Sequence, residues 1–259
     1  MNSLLERVRR DKERYDAALT AHGVPDPTLA PPPRDLSAAL AGPELAWIAE
    51  VKRRSPTRGE IRPGADPVAI ARGYERAGAA AISVLTDGPL FGGSLADLTA
   101  VRAAVGIPVL RKDFLVSPQM VQEARAATAD SCLLIVAMLS DAELSTCLRA
   151  ARDLGMEPLV EVHDLEELER ALQVGARIVG VNNRNLHSLD IDLATSEALL
   201  PRLPQGVVRV AESGVHTPAD RDRMRSAGAD ALLVGTSLMT APDPGEALTA
   251  LMGRRPPCG

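Results

Sequence analysis

The chain has 259 residues, about 1.7 times a typical 150-residue domain, which fits two small domains or one α/β barrel. Hydrophobic residues make up 46% and charged residues 24%, ordinary globular values that exclude a disordered tail protein and leave material for a large core. With 29 basic and 34 acidic residues the formal charge is −5, and one Trp, two Tyr and two Phe are poor equipment for gripping a polyanion or stacking bases, so no nucleic-acid partner is expected.

The opening MNSLLERVRRDKER interrupts every apolar pair with charge, so it offers no signal-peptide core and a cytoplasmic location is expected. The longest uncharged apolar run, Cys132 to Leu139, is far below the roughly 20 residues that span a bilayer, and no membrane partner is expected. An N-terminal helix is predicted from Ser3 to Ala21, with Leu4, Leu5, Val8, Tyr15, Ala18 and Leu19 on one broad apolar face. A proline-rich stretch, Pro25 to Pro33, follows it. Cys132, Cys147 and Cys258 are odd in number and far apart, which argues for buried or tail thiols and against a disulfide framework.

From residue 46 onward one phrase recurs: an amphipathic stretch, a small-residue break, then a β-rich apolar run, as in RAGAAAISVL, AAVGIPVLR, DLGMEPLVEV, QVGARIVGV and SAGADALLVG. Gly78, Gly106, Gly155, Gly175 and Gly228 stand where a helix would end in a left-handed cap. Strands are predicted at 46–53, 79–86, 108–113, 131–138, 157–163, 177–183, 207–212 and 231–236. Helices are predicted at 66–77, 94–104, 117–127, 140–154, 164–174, 192–200, 217–227 and 243–252, several opening on a hydroxyl cap such as Ser117, Ser140 or Thr217.

Eight βα units predict a (β/α)8 TIM barrel with an extra N-terminal helix, a single domain over 1–259: extension 1–45, barrel 46–252, tail 253–259. A doubly wound sheet normally has fewer strands, and no GxGxxG follows the first one. The extra helix has no slot in the ring and is expected to cover one barrel opening or pack beside it.

In a barrel of this type the carboxyl ends of the strands form the catalytic mouth. Those ends read AEVKRRSP, LTDGPLFGGS, LRKDF, VEVHD, VNNRN, VAESG and VGTS. Strand side chains alternate with period two, so Glu50 and Lys52 share a face with Ile48, Lys112 with Leu110, Glu161 with Leu159, Asn182 and Arg184 with Gly180, and Glu212 with Val210. Three acids and three bases converging on one mouth are expensive as mere structure, because buried ion pairs seldom recover their desolvation cost. Rim salt bridges are the bland alternative for any one of them.

Ser213-Gly214 after the seventh strand and Gly235-Thr236 after the eighth offer backbone amides where barrel enzymes commonly bind phosphate. Phe91 and Phe114 both fall at strand ends, which suggests an apolar surface for a ring. His22, His163, His187 and His216 form no HExxH or closely spaced pair, and His163 and His187 read as bystanders. No GxxxxGK[ST] loop and no GxSxG elbow appears. The expectation is proton-transfer chemistry on a phosphorylated small molecule, with no metal and no cofactor. A lysine acid works best with its pKa lowered, and a glutamate base with its pKa raised.

Glu50-Val-Lys52-Arg-Arg-Ser55-Pro56, Thr86-Asp87, Phe91-Gly-Gly-Ser94, Leu110-Arg-Lys112-Asp-Phe114, Glu161, Asn182-Asn-Arg184-Asn-Leu186, Glu212-Ser213-Gly214 and Gly235-Thr236-Ser237 together resemble the indole-3-glycerol phosphate synthase family over essentially the whole chain. The resemblance implies closure of an indole ring from 1-(2-carboxyphenylamino)-1-deoxyribulose 5-phosphate with loss of carbon dioxide and water. It implies Lys112 as general acid, Glu161 as general base with Glu50 assisting, and Glu212 within the same catalytic set. Lys52 would pair with the substrate carboxylate or phosphate, and Asn182 and Arg184 would orient the sugar hydroxyls.

Ser55, Ser213, Gly214, Gly235 and Thr236 would bind the phosphate; Phe91, Phe114 and Leu186 would hold the ring, with Leu233 also lining the substrate site. Thr236 and Arg58 depart from the family's commoner serine and lysine. A monomer is expected. The rivals are a phosphosugar isomerase on the same barrel, which would favour an Asp or Cys acid/base pair, and a non-catalytic paralogue that only binds a phosphorylated ligand.

Overall fold

A computed structural model of the chain describes residues 4–186 and 188–254. Eight parallel strands close into a barrel: β1 (Ala46–Val51), β2 (Ala81–Leu85), β3 (Val109–Lys112), β4 (Ser131–Ile135), β5 (Leu159–Val162), β6 (Ile178–Asn182), β7 (Val208–Glu212) and β8 (Ala231–Val234). Each strand pairs with its sequence neighbours, and β8 pairs with β1 to complete the ring. Helices α1 (Leu4–His22) and α2 (Leu36–Leu40) precede the barrel. The ring helices are α3 (Pro67–Ala77), α5 (Leu95–Ala104), α6 (Pro118–Ala126), α7 (Asp141–Asp153), α8 (Leu165–Gln173), α9 (Ala194–Leu199), α10 (Pro218–Ser226) and α12 (Pro244–Leu251). Two short helices, α4 (Gly88–Phe91) and α11 (Thr236–Met239), sit in loops at the carboxyl ends of β2 and β8.

The eight expected strands and eight expected ring helices are all present, because strands covered by helices on one side and core on the other must read as apolar runs. The predicted caps form: the hydroxyls of Ser117, Ser140 and Thr217 accept from the amides of Met120, Glu143 and Asp220. The strand expected over 131–138 is shorter, since residues Val136–Met138 turn into a 3₁₀ helix. Arginines capture the carbonyls that leave the ladder there, Arg9 at Met138 and Arg170 at Leu139. Gly106 differs from the four other expected left-handed caps: α5 ends through an extended Val105, and the Gly106 amide bonds instead to Glu75 Oε1 at 2.6 Å.

Helix α1 lies over the rim at the carboxyl ends of β2 to β4, so it belongs to the mouth side. Its docking is more polar than the apolar face predicted. Val8 is buried and Leu4, Leu5 and Leu19 pack on the core, but Tyr15 is 42% exposed and Ala18 faces solvent. The grip comes from Lys12, whose Nζ meets Asp113 at 2.6 Å and Asp87 at 2.9 Å, from Arg9 on Met138, and from Asp16, which accepts from the Ser117 hydroxyl. Partly desolvated charge pairs fix a helix in one orientation, which an apolar stripe alone does less sharply.

Period-two alternation sends Lys112 into the barrel and its neighbour Arg111 outward into the helix layer. Arg111 is fully buried and satisfied by Glu123 Oε2 at 2.9 Å, Asp113 Oδ2 at 3.2 Å, Thr86 Oγ1 and the Met120 carbonyl. Tyr15 donates its hydroxyl hydrogen to the other Glu123 oxygen. Cys132 and Cys147 are buried free thiols, while Cys258 lies outside the described residues. Because removing one partner strands buried charge, Arg111→Met should destabilise the fold by about 3–5 kcal/mol in denaturant-induced unfolding; a loss under about 1 kcal/mol would show that the carboxylates relax to solvent.

Candidate active site

In barrels of this kind, alternate strands supply the four side chains of each interior layer. The uppermost layer here comes from the odd strands: Glu50 of β1, Lys112 of β3, Glu161 of β5 and Glu212 of β7. The layer beneath on those strands is Ile48, Leu110, Leu159 and Val210, all buried. A charged layer therefore rests on an apolar floor, where the lysine meets the two carboxylates from across the barrel. Lys112 Nζ is 3.0 Å from Glu161 Oε2 and 3.1 Å from Glu212 Oε2. Lys52, just past β1, pairs with Glu50 Oε1 at 2.6 Å.

Two glycines make room for these carboxylates. A Cβ on Gly180, the β6 residue paired with Glu161, would fall 2.0 Å from Glu212 Oε1. One on Gly235, just past β8, would fall 2.2 Å from Glu50 Oε1. Both positions need the missing side chain for space.

The layer lies in a cavity of about 410 Å³. Of the expected residues, Glu50, Lys52, Phe91, Lys112, Phe114, Glu161, Asn182, Arg184, Leu186, Glu212, Ser213, Gly214, Leu233, Gly235 and Thr236 all border it. Ser55 does not. It is buried under a hairpin that pairs Arg54–Ser55 with Gly59–Glu60, and its Oγ accepts from the Arg58 amide at 3.2 Å. The hairpin tip, Thr57 and Arg58, borders the cavity instead.

One wall is aromatic. Phe91 and Phe114 lie 6.2 Å apart, tilted by 37°, an open clamp rather than a closed stack. Both are set from α1: Asp87 caps α4, which carries Phe91, and Asp113 accepts from the Phe114 amide, while Lys12 bridges the two aspartates. On the opposite side Ser213 and Gly214 both have positive φ, +65° and +88°. For Ser213 that is a strained setting, held where the Asn183 side chain donates to its carbonyl at 3.0 Å. Helix α11 opens at Gly235 with no side chain capping its first amides. This wall is rich in backbone amides.

Burial, the largest single influence on Lys112, favours the neutral amine, but Glu161, Glu212 and Glu50 together outweigh it and hold the ammonium above its ordinary range. The expectation of a lowered lysine pKa is thus reversed in the free site, because two carboxylates face one ammonium. Burial also pushes Glu161 upward, yet Lys112 and His163 overcome it and keep Glu161 well below the usual carboxylate range. Glu212 behaves differently: burial and the neighbouring Glu161 push it to about 7 against the pull of Lys112.

His163 is no bystander. Its Nε2 lies 3.3 Å from Glu161 Oε1, without the alignment of a hydrogen bond, and its Nδ1 is 2.9 Å from Glu167 Oε2 on α8. Period two could have found it, since residue 163 follows Glu161 by two. Thr86, Asp87, Asp113 and Lys12 were beyond that rule because they act from loops and α1. His187 lies outside the described residues.

A carboxyl raised on folding takes up a proton between its unfolded and folded values, so its stabilising contribution is full below the lower value and lost as pH rises through the upper. For Glu212 that window runs from its ordinary 4.5 to about 7. Glu212→Gln should therefore gain stability relative to the unsubstituted chain between pH 5 and 8, measured by urea midpoints. A constant difference across that range would remove the raised carboxyl.

The family model described as Indole-3-glycerol phosphate synthase matches residues 2–251. The chain is 55% identical over 251 residues to an indole-3-glycerol phosphate synthase of Parafrankia sp., covering 94% of this chain and 91% of that protein. It is 48% identical to the protein of that name from Saccharopolyspora erythraea, over the whole of this chain and 97% of the other. Among solved structures, a thiamine phosphate pyrophosphorylase from Pyrococcus furiosus shares the fold, with a TM-score of 0.62, 18% identity, and coverage of 85% of this chain and 96% of that one.

Proposed function

The chain belongs to the indole-3-glycerol phosphate synthase family, and on that premise we propose how its cavity closes an indole ring on 1-(2-carboxyphenylamino)-1-deoxyribulose 5-phosphate. The family's reaction is a carboxy-lyase step of tryptophan biosynthesis on a phosphorylated small molecule. The observation that carries the assignment of roles is the Lys112 ammonium, held at the cavity floor between Glu161 and Glu212 and beside the two phenylalanines.

Lys112 donates its proton to the ribulose carbonyl oxygen as the ring carbon bearing the carboxylate attacks the carbonyl carbon. The new carbon–carbon bond forms, the ring loses aromaticity, and release of carbon dioxide returns the electron pair. Glu161 then takes a proton from the methylene of the newly closed ring and, with Glu50 assisting the transfer, that proton joins the departing hydroxyl: the C–H and C–O bonds break, the ring double bond forms and water leaves. Glu161 is ionised and so can accept a proton, but the expectation of a raised base is reversed in the free site, where Lys112 and His163 outweigh burial and hold it below the ordinary carboxylate range. Lys52 pairs with the substrate carboxylate or phosphate, and Asn182 and Arg184 orient the sugar hydroxyls.

The Phe91–Phe114 clamp and Leu186 take the anthranilate ring, with Leu233 beneath. The phosphate sits on the amide-rich wall at Ser213, Gly214, Gly235 and Thr236, where the first amides of α11 have no side-chain cap and the Glu50 carboxylate behind Gly235 is paired with Lys52. Ser55 supports that seat by holding the hairpin whose tip carries Arg58. An isomerase would want an Asp or Cys at the cavity floor, but Asp113 is engaged by Lys12 and Arg111, and Cys132 does not border the cavity. The enzyme works as a monomer in the cytoplasm.

Incubation with the synthetic anthranilate ribulose phosphate should produce indole fluorescence. Lys112→Ala should lower kcat by roughly 10²-fold or more with the fold intact, as for a lost general acid. A change confined to KM would make Lys112 a binding residue. Glu161→Gln should cut turnover while leaving affinity broadly unchanged, and an unaltered kcat would take Glu161 out of the mechanism.

A further inference from the structure

Glu161 and Glu212 are nearly equivalent as the lysine sees them. Each is 2% exposed, and their oxygens stand within 0.1 Å of the same distance from Lys112 Nζ, 3.0 and 3.1 Å. Two like charges this close to one ammonium do not both ionise freely, so something must decide which one keeps a proton. The second oxygens break the symmetry. Glu212 Oε1 is buried with no hydrogen-bond partner, whereas Glu161 Oε1 faces His163 Nε2 at 3.3 Å. His163 is itself fixed from behind, because Glu167 Oε2 sits 2.9 Å from Nδ1 and also accepts from the His163 amide at 2.8 Å.

We propose that His163, held by Glu167, is a positioning residue that assigns the site's exchangeable proton: it keeps Glu161 an anion and leaves Glu212 as the carboxyl that gains and loses a proton. The electrostatic surroundings agree. Glu161 is faced by Lys112 from β3, Glu212 from β7, His163 just past the end of its own strand and the Asn182 side chain at the end of β6, with Glu50 contributing to the field at Lys112. His163 is faced by Glu161 and Glu167, and borders a second cavity of about 400 Å³ that also holds Asp164, Asp190 and Asp192, with only the uncharged Leu5 from α1. Every titratable neighbour of the imidazole in that set is acidic, so its charged form is favoured, and its pKa is carried up to about 10 in spite of burial.

The assignment has a chemical use. When Lys112 gives its proton to the substrate, the Glu212 carboxyl 3.1 Å away can return one, so that Nζ–H forms, the Glu212 O–H breaks, and an ammonium facing two carboxylates is restored. Had Glu161 held that proton, the base of the dehydration would be blocked. This use rests on the roles proposed above, whereas the location of the proton does not.

Carboxyl-¹³C glutamate spectra of the full chain, recorded from pH 4 to 9, read the proton directly. In the unsubstituted enzyme one site carboxyl should titrate near neutrality while Glu161 stays ionised throughout. His163→Gln should raise the Glu161 midpoint far enough to bring it into the observed range, and lower that of Glu212. Glu167→Gln, which leaves the imidazole in place, should shift both in the same directions by less. The acid limb of kcat should move with the Glu161 midpoint while KM stays within about twofold. Unmoved midpoints in both variants would overturn the proposal. Midpoints that move without the kcat limb would uphold it and instead unseat Glu161 as the base.

Discussion

The ammonium of Lys112 shared between two buried carboxylates is the constraint from which the rest of the site follows. A TIM barrel fills its interior with layers of four side chains from alternate strands, and this chain makes its top layer from charges. Such a layer would be costly without internal compensation, and each member has some: Glu161 and Glu212 meet Lys112, and Glu50 meets Lys52. The glycines at 180 and 235 are the steric counterpart, since any side chain there would occupy the space the carboxylates need. The compensation also explains why Lys112 rests fully charged. Its acidity must be expressed when substrate arrives and changes the balance around it, rather than being stored in the empty site.

Charge also ties the N-terminal extension to this centre. Lys12 holds Asp87 and Asp113, which in turn set the loops bearing Phe91 and Phe114. Asp113 is the direct chain neighbour of Lys112, and its other oxygen serves Arg111 and Thr86 in the helix layer. The two faces of β3 are thereby coupled: Lys112 points inward to the chemistry, Arg111 points outward to the framework, and a helix from outside the ring of eight braces both. A ring-binding clamp made of only two phenylalanines gains its orientation from ion pairs rather than from a surrounding aromatic cluster.

Legibility in the sequence tracked the range of the interaction. Residues such as Glu50, Lys112, Glu161 and Glu212 were readable because strand alternation is a local rule, and a (β/α)8 arrangement turns that rule into convergence on one mouth. His163 obeyed the same rule and was passed over, because its significance lies in a partner on α8 as well as in its own position. Ser55 illustrates the converse: its place in a motif was evident, but whether its hydroxyl faces the cavity or the hairpin depends on a turn only four residues wide. The docking of α1 was least legible, since its ionic contacts reach residues about 75 to 135 positions away, beyond any periodicity within the helix.

The amino-acid order by itself determined the alternation of strands and helices, the side of each strand that carries charge, and the small residues at the last two strand ends, because each follows from backbone geometry over a few neighbouring positions. The closed barrel alone decided how those charges balance: an ammonium pulled up by two carboxylates, one glutamate held ionised and the other near neutrality. Protonation is set by burial and by distances of about 3 Å between groups far apart in the chain, and those distances exist only once the ring has closed.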